Sequence, residues 1–142
     1  MINKQKVRNA IPGLGLIFLL IGVVVYLQVT DERNKELEES VRLAMKKESV
    51  EEIDLSRFTD FDWKQAYLFP PYTPQENINR QLGINYKDPS RIDMRDDINL
   101  LIFLNKNKVV QYAEISREYG DLVIDTDDGL SPSNATLTIK KH

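Results

Sequence analysis

Residues 98–115 read INLLIFLNKNKVVQYAEI, and this stretch decides the fold. From Ile98 to Leu104 the run is apolar on both faces, so a strand there has both to bury and is predicted to be central in a sheet. Asn105-Lys106-Asn107-Lys108 supplies turn residues, and Val109 to Ile115 resumes a strand pattern. The chain is therefore expected to double back as an antiparallel hairpin.

Working upstream, Trp63 to Phe69 (WKQAYLF) reads as a first strand, closed by Pro70-Pro71, which cannot donate ladder hydrogen bonds. Thr73-Pro74-Gln75-Glu76 predicts a helix start, with Thr73 as the cap, Pro74 in the first turn and Glu76 reaching back to the cap amide. That helix should run to Leu82 with Ile78 and Leu82 buried, and stop at Gly83 in a left-handed conformation. The polar run from Asn85 to Asp97 is expected to be a surface loop. Phe58, Phe61 and Trp63 are expected in the core. Ser49-Val50-Glu51-Glu52 matches a capping box and suggests a short helical turn. Residues 31–48 are predicted helical from the spacing of Leu37, Val41, Ala44 and Met45, with a Glu38–Arg42 ion pair. This helix either packs on the domain or stands as a solvated stalk. Downstream, Leu122 to Ile124 predicts a short strand, and Asp125 to Gly129 and Ser131-Pro132 predict loops. Ala135 to Ile139 predicts a last strand with Ala135, Leu137 and Ile139 inward and Thr136, Thr138 and Lys140 outward. The expected class is α+β: a small antiparallel sheet with helices packed on one face, after an N-terminal transmembrane helix. About 90 residues suffice for one modest core.

The transmembrane expectation rests on Ala10 to Val29, twenty residues without a charge. At about 1.5 Å per residue such a helix matches a bilayer's hydrocarbon core of roughly 30 Å. Lys4, Lys6 and Arg8 precede it, and Asp31 and Glu32 follow. The positive-inside rule then makes residues 1–9 a cytoplasmic basic tail, 10–29 the span, 30–49 the stalk or first domain helix, and 50–142 an extracytoplasmic domain. A cleaved signal peptide competes, but the apolar run is long and its exit lacks small residues at A-x-A spacing. Acylation as a lipoprotein needs a cysteine, and the chain has none. Without cysteine no disulfide can staple the domain, which with its Lys, Asn, Ile and Asp richness points to a bacterial cell surface.

The 142 residues carry a net charge of −3, and all 22 acids lie beyond residue 30. An acidic domain is poorly suited to nucleic acid. The pattern Phe61-Asp62-Trp63, Tyr67-x-Phe69-x-Pro71-Tyr72-Thr73-Pro74 and Ile78-x3-Leu82-Gly83 resembles one shared by small uncharacterised membrane-anchored surface proteins and lipoproteins of Firmicutes. In element order the chain is also similar to beta-lactamase-inhibitor-like and outer-membrane-assembly (SmpA-type) domains. Neither resemblance carries a catalytic residue onto this chain; what they imply is a protein-binding or assembly role.

Chemistry-bearing groups are few. With no Cys and a single His at the final position, His142, nucleophilic triads are almost closed off, and His/Cys zinc sites fail for the same reason. Asp125, Asp127 and Asp128 before Gly129 hint at a calcium loop, but the EF-hand spacing would need an oxygen ligand at 129 and glycine at 130, so a turn with solvated acids is expected. Asp93, Asp96 and Asp97 beside Arg91 and Arg95 read as a mixed-charge loop. No catalytic residue, metal or cofactor is assigned. The candidate contact surface is Tyr67, Phe69, Pro70, Pro71 and Tyr72, where rigid proline and amphipathic tyrosine have little entropy to lose. The alternative is that Tyr67 and Phe69 divide between core and surface while the prolines only end the strand. The leading expectation is an anchored protein that binds an envelope or membrane protein; the competing one is a carboxylate-dependent envelope hydrolase.

Overall fold

The computed structural model describes the backbone of residues 11–30 and 32–142, and the side chains of 13–22 and 32–142. The basic tail at 1–9 and Ala10 lie outside the described residues. The chain divides between Glu32 and Arg33 into two units. In the first, α1 is a helix of 20 residues, Ile11–Thr30. Among the described residues no helix is long and apolar enough to cross a membrane. The side chains described in α1 are those of 13–22, so half of the expected span lies outside them.

The second unit is α+β. Its order is α2 (Lys35–Lys46), β1 (Glu52–Asp54), a 3-10 turn (Leu55–Arg57), β2 (Gln65–Phe69), α3 (Gln75–Leu82), a 3-10 turn (Ile92–Met94), β3 (Ile98–Asn105), β4 (Lys108–Ser116), β5 (Asp121–Val123) and β6 (Thr136–Lys140). Its six strands form two antiparallel sheets of three, ordered β2-β3-β4 and β1-β6-β5, where one sheet was expected. β3 lies at the centre of the first, pairing Ile102 with Tyr67 and with Tyr112. Lys106 and Asn107 form the two-residue hairpin turn with φ of 51° and 60°, the left-handed pair that matches the twist of the flanking strands.

Because β3 is apolar on both sides, it feeds two cores. Leu101 and Phe103 face one, with Ile53, Leu122 and Leu137 of the second sheet and Leu37, Val41 and Met45 of α2. Leu100, Ile102 and Leu104 face the other, with Ile78 and Leu82 of α3, Ile92, and Tyr67 and Phe69. The two helices therefore cover opposite faces of the central sheet. Placing both on one face would have left half of β3 in water. Phe61 and Trp63 meet Phe103 edge-on, at centroid distances of 5.0 and 5.3 Å. The Trp63 indole donates to Thr59 at 3.1 Å, and the Thr59 hydroxyl donates to the Leu55 carbonyl at 3.0 Å.

Four local expectations are corrected. Residues 49–53 do not start a helix: Ile53 is buried in β1 opposite Leu137, and the helical turn comes later, capped by Asp54, which accepts from the Ser56 amide at 3.1 Å. Thr73 does not cap α3. Its hydroxyl turns back to the Pro70 carbonyl, and Pro74 takes the cap position, while Gly83 ends the helix at φ 71° as expected. Residues 85–97 are more than a surface loop. Asp88 is buried, and its carboxylate accepts the Ser90 and Ile92 amides at 2.8 and 2.9 Å, holding Ile92 in the core. Glu38 does not pair with Arg42, which takes Glu39 at 2.8 Å instead. Glu38 faces β4, where an unpaired edge amide competes for it.

That contact belongs to the closure of the sheet edges. Along the outer side of β4, the Asn34 amide donates to the Tyr112 carbonyl at 2.9 Å and the Glu114 amide donates to Glu38 at 2.8 Å. At the other edge, Ala66 and Leu130 exchange both amide hydrogen bonds, at 2.8 and 2.9 Å. Gly129 makes that exchange possible. It sits at φ 79°, and a Cβ there would come within 2.8 Å of the Tyr67 ring. Covered edges protect a sheet from pairing with other chains.

Candidate functional site

The residues singled out in the sequence fall into two sets. Tyr67 and Phe69 are buried and belong to the core beneath α3. Alternation along β2 turns both toward that core. Pro70, Pro71 and Tyr72 lie on the surface side of the strand end. Tyr72 is 60% exposed and has φ 64°. Its amide donates to the Ile92 carbonyl at 2.9 Å and the Arg95 carbonyl at 3.3 Å, which holds the backbone in this left-handed conformation. A bulky residue with positive φ stores strain, and its surroundings must over-determine it. Met94, 70% exposed, lies in the same 92–95 turn.

Beside the prolines runs a groove of about 420 Å³, within the size range of ligand sites. One wall is Leu68, Pro70 and Pro71 at the end of β2; the other is Leu122, Val123 and Ile124 of β5 and its exit. Asn99, Arg117, Asp121 and Lys140 supply the polar lining. Asn99 is 2% exposed and donates to Asp121 at 3.5 Å. Arg117 and Asp121 form a forked ion pair, and a third nitrogen of Arg117 donates to the Asp96 carbonyl. The Arg117 guanidinium therefore holds the Asp121 carboxyl below the usual carboxylate range, and Asp121 in turn strengthens Arg117's hold on its proton. Asn99 is the polar exception in an otherwise apolar central strand, and that exception was the signal in the sequence. Arg117, Asp121 and Lys140 carried none, since the turn after β4 and the pairing of β5 with β6 bring them together.

A second charged cluster lies along β4. The Glu114 carboxylate is buried between Arg33, at 2.6 Å, and Arg95, while Arg33 also reaches Glu38 at 2.8 Å. Arg95 continues to Asp97 at 2.8 Å, which lowers the Asp97 pKa. Burial pushes the neighbouring Tyr112 phenol up, and the Glu114 charge adds to this. Every acid in this cluster has a guanidinium or an amide partner, an arrangement that holds charge in place. Asp93 pairs with Arg91 at 3.2 Å. Among the described residues no group of three acidic or histidine side chains is placed to hold a metal ion. Asp125, Asp127 and Asp128 lie in the loop that returns the chain to Gly129 and Leu130 at the edge of β2. Compared with known proteins, the chain matches no family model, no curated protein and no solved structure.

Proposed function

We propose that the chain is a single-pass membrane protein whose extracytoplasmic α+β domain binds another protein or envelope component through Pro70, Pro71 and Tyr72 and the adjoining groove. The observation that carries the reading is Tyr72: a large aromatic side chain, 60% exposed, on a backbone held at φ 64°. Glycine would take that conformation without strain, so a tyrosine there is best accounted for by what its ring touches. Exposed tyrosine and proline give contact area with little entropy to lose. The uncharged run Ala10–Val29, with basic residues before it and acids after, supports the anchor and its sidedness. The likeness to small surface proteins supports a binding role by analogy alone.

The test is photocrosslinking in intact cells. A photoreactive phenylalanine analogue replaces Tyr72 in the full chain, and a control places it at Leu43, an exposed apolar position on α2. A discrete adduct from position 72 that is missing from position 43 supports the reading. No adduct, or the same adducts from both positions, overturns it.

A further inference from the structure

We infer that the groove between β2 and β5 takes up one extended peptide strand from a partner protein, paired by backbone hydrogen bonds and bearing an acidic side chain beside Lys140. This deepens the binding reading above and rests on it.

The pairing pattern leaves backbone groups free on both walls. In β6, the Ile139 amide donates to Glu51 and the Ala135 carbonyl accepts from Leu55, so the odd residues bond on the β1 side. Thr138 and Lys140 are left to bond Val123 and Asp121. Antiparallel alternation then turns the amide and carbonyl of Leu122 away from β6. In β2, Ala66 bonds outward to Leu130, so Leu68, two residues on, also turns its amide and carbonyl outward. Among the described residues neither Leu68 nor Leu122 makes a backbone hydrogen bond on that side. Both line the same groove.

A second, independent feature points the same way. Asn99 is buried in the groove floor, with its side-chain nitrogen on Asp121. Its side-chain oxygen has no hydrogen-bond partner among the described residues and so offers an acceptor to an incoming amide. Pro70, Pro71 and Val123 give apolar contacts for alternate side chains of a strand. Lys140 is exposed and makes no ion pair among the described residues, so the groove favours an acidic residue opposite it. Strand addition at a sheet edge combines these elements: main-chain bonds for affinity and flanking pockets for specificity. A second copy of the chain is poorly placed to supply the strand. Its long β4 edge is closed by Asn34 and Glu38.

The test uses the full-length chain in detergent micelles and a phage-displayed library of random linear heptapeptides as the probe. The tightest selected peptide is made with a fluorescein label and read by anisotropy. Methylating alternate amides of that peptide in one phase is expected to weaken binding about tenfold, and methylation in the other phase to leave it unchanged. Lys140→Glu is expected to weaken binding of an acidic peptide by a similar factor. Selection of no peptide, binding insensitive to the methylation phase, or binding unaffected by Lys140→Glu overturns the inference. So does self-association of the chain that Val123→Asp abolishes, which would make a second copy the occupant. A Tyr72 crosslink without phase-dependent peptide binding would remove strand addition and leave the binding reading standing. Phase-dependent peptide binding without a Tyr72 crosslink would remove Tyr72 and leave the groove.

Discussion

Tyr72 and Gly129 both have positive φ, with opposite consequences for substitution. At Tyr72, glycine relieves the backbone strain, so Tyr72→Gly is expected to stabilise the domain by about 1 kcal/mol while removing the Tyr72-dependent contact. Urea midpoints of the two proteins, measured beside partner capture, check the pair of outcomes; a loss of stability would show that the ring is tied into the fold. At Gly129, an alanine combines a disfavoured φ with a Cβ 2.8 Å from the Tyr67 ring and 3.0 Å from the Ala66 carbonyl. Gly83 has nearly the same φ, 71°, but open space around it. Both alanine variants must hold a Cβ in the left-handed conformation, which costs about 1–2 kcal/mol. Gly129→Ala should lose clearly more, because rigid neighbours must also shift. Equal denaturation midpoints for the two would contradict the close approach.

At the level of elements, the junction of α2 with β4 repays attention. Asn34 has three roles: its side-chain oxygen caps α2 through the Leu37 amide at 2.8 Å, its side-chain nitrogen reaches Gln111, and its own amide covers the β4 edge. Asn34→Ala is expected to cost about 1 kcal/mol for the cap, and Asn34→Asp to recover much of that because the accepting oxygen remains. Thermal denaturation of both variants separates capping from the Gln111 contact. This junction also marks the limit of what the sequence made legible. Periodicity was enough to find α2 and its stripe of Leu37, Val41 and Met45, the central strand β3, the Lys106-Asn107 turn, α3 with its Gly83 stop, and the alternation of β6. Each of those signals is local. The capping expectations at Ser49 and Thr73 failed because tertiary partners outcompeted local ones: Leu137 claimed Ile53, and the Pro70 carbonyl claimed the Thr73 hydroxyl. In the candidate site, the prolines and Tyr72 were legible as a run. Asn99, Arg117, Asp121 and Lys140 come from separate segments, and only the folded chain gathers them.

For the whole molecule, paired carboxylates set the response to pH. Asp97 and Asp121 each lie below the ordinary value of 3.8 because of Arg95 and Arg117. A depressed folded pKa contributes stability that is present above 3.8 and lost as the pH falls below it, while the unfolded chain takes up protons first. Tyr112 acts at the other end. Burial raises its phenol above 10.0, so the unfolded chain ionises first there and stability declines as the pH climbs past that value. Urea midpoints should therefore be level between about pH 5 and 9 and fall on both sides. Removing the acid limb's partner with Arg117→Met should flatten that limb, and an unchanged slope would show that Asp121 does not contribute to it. The division into two sheets has a further consequence, for synthesis on the ribosome. β1 is joined to its sheet solely through β6, and β6 follows the other five strands along the chain. A nascent chain that has already released β1 to β4 still lacks the strand that secures Ile53, so the domain must wait, greasy and open, until Lys140 clears the exit tunnel.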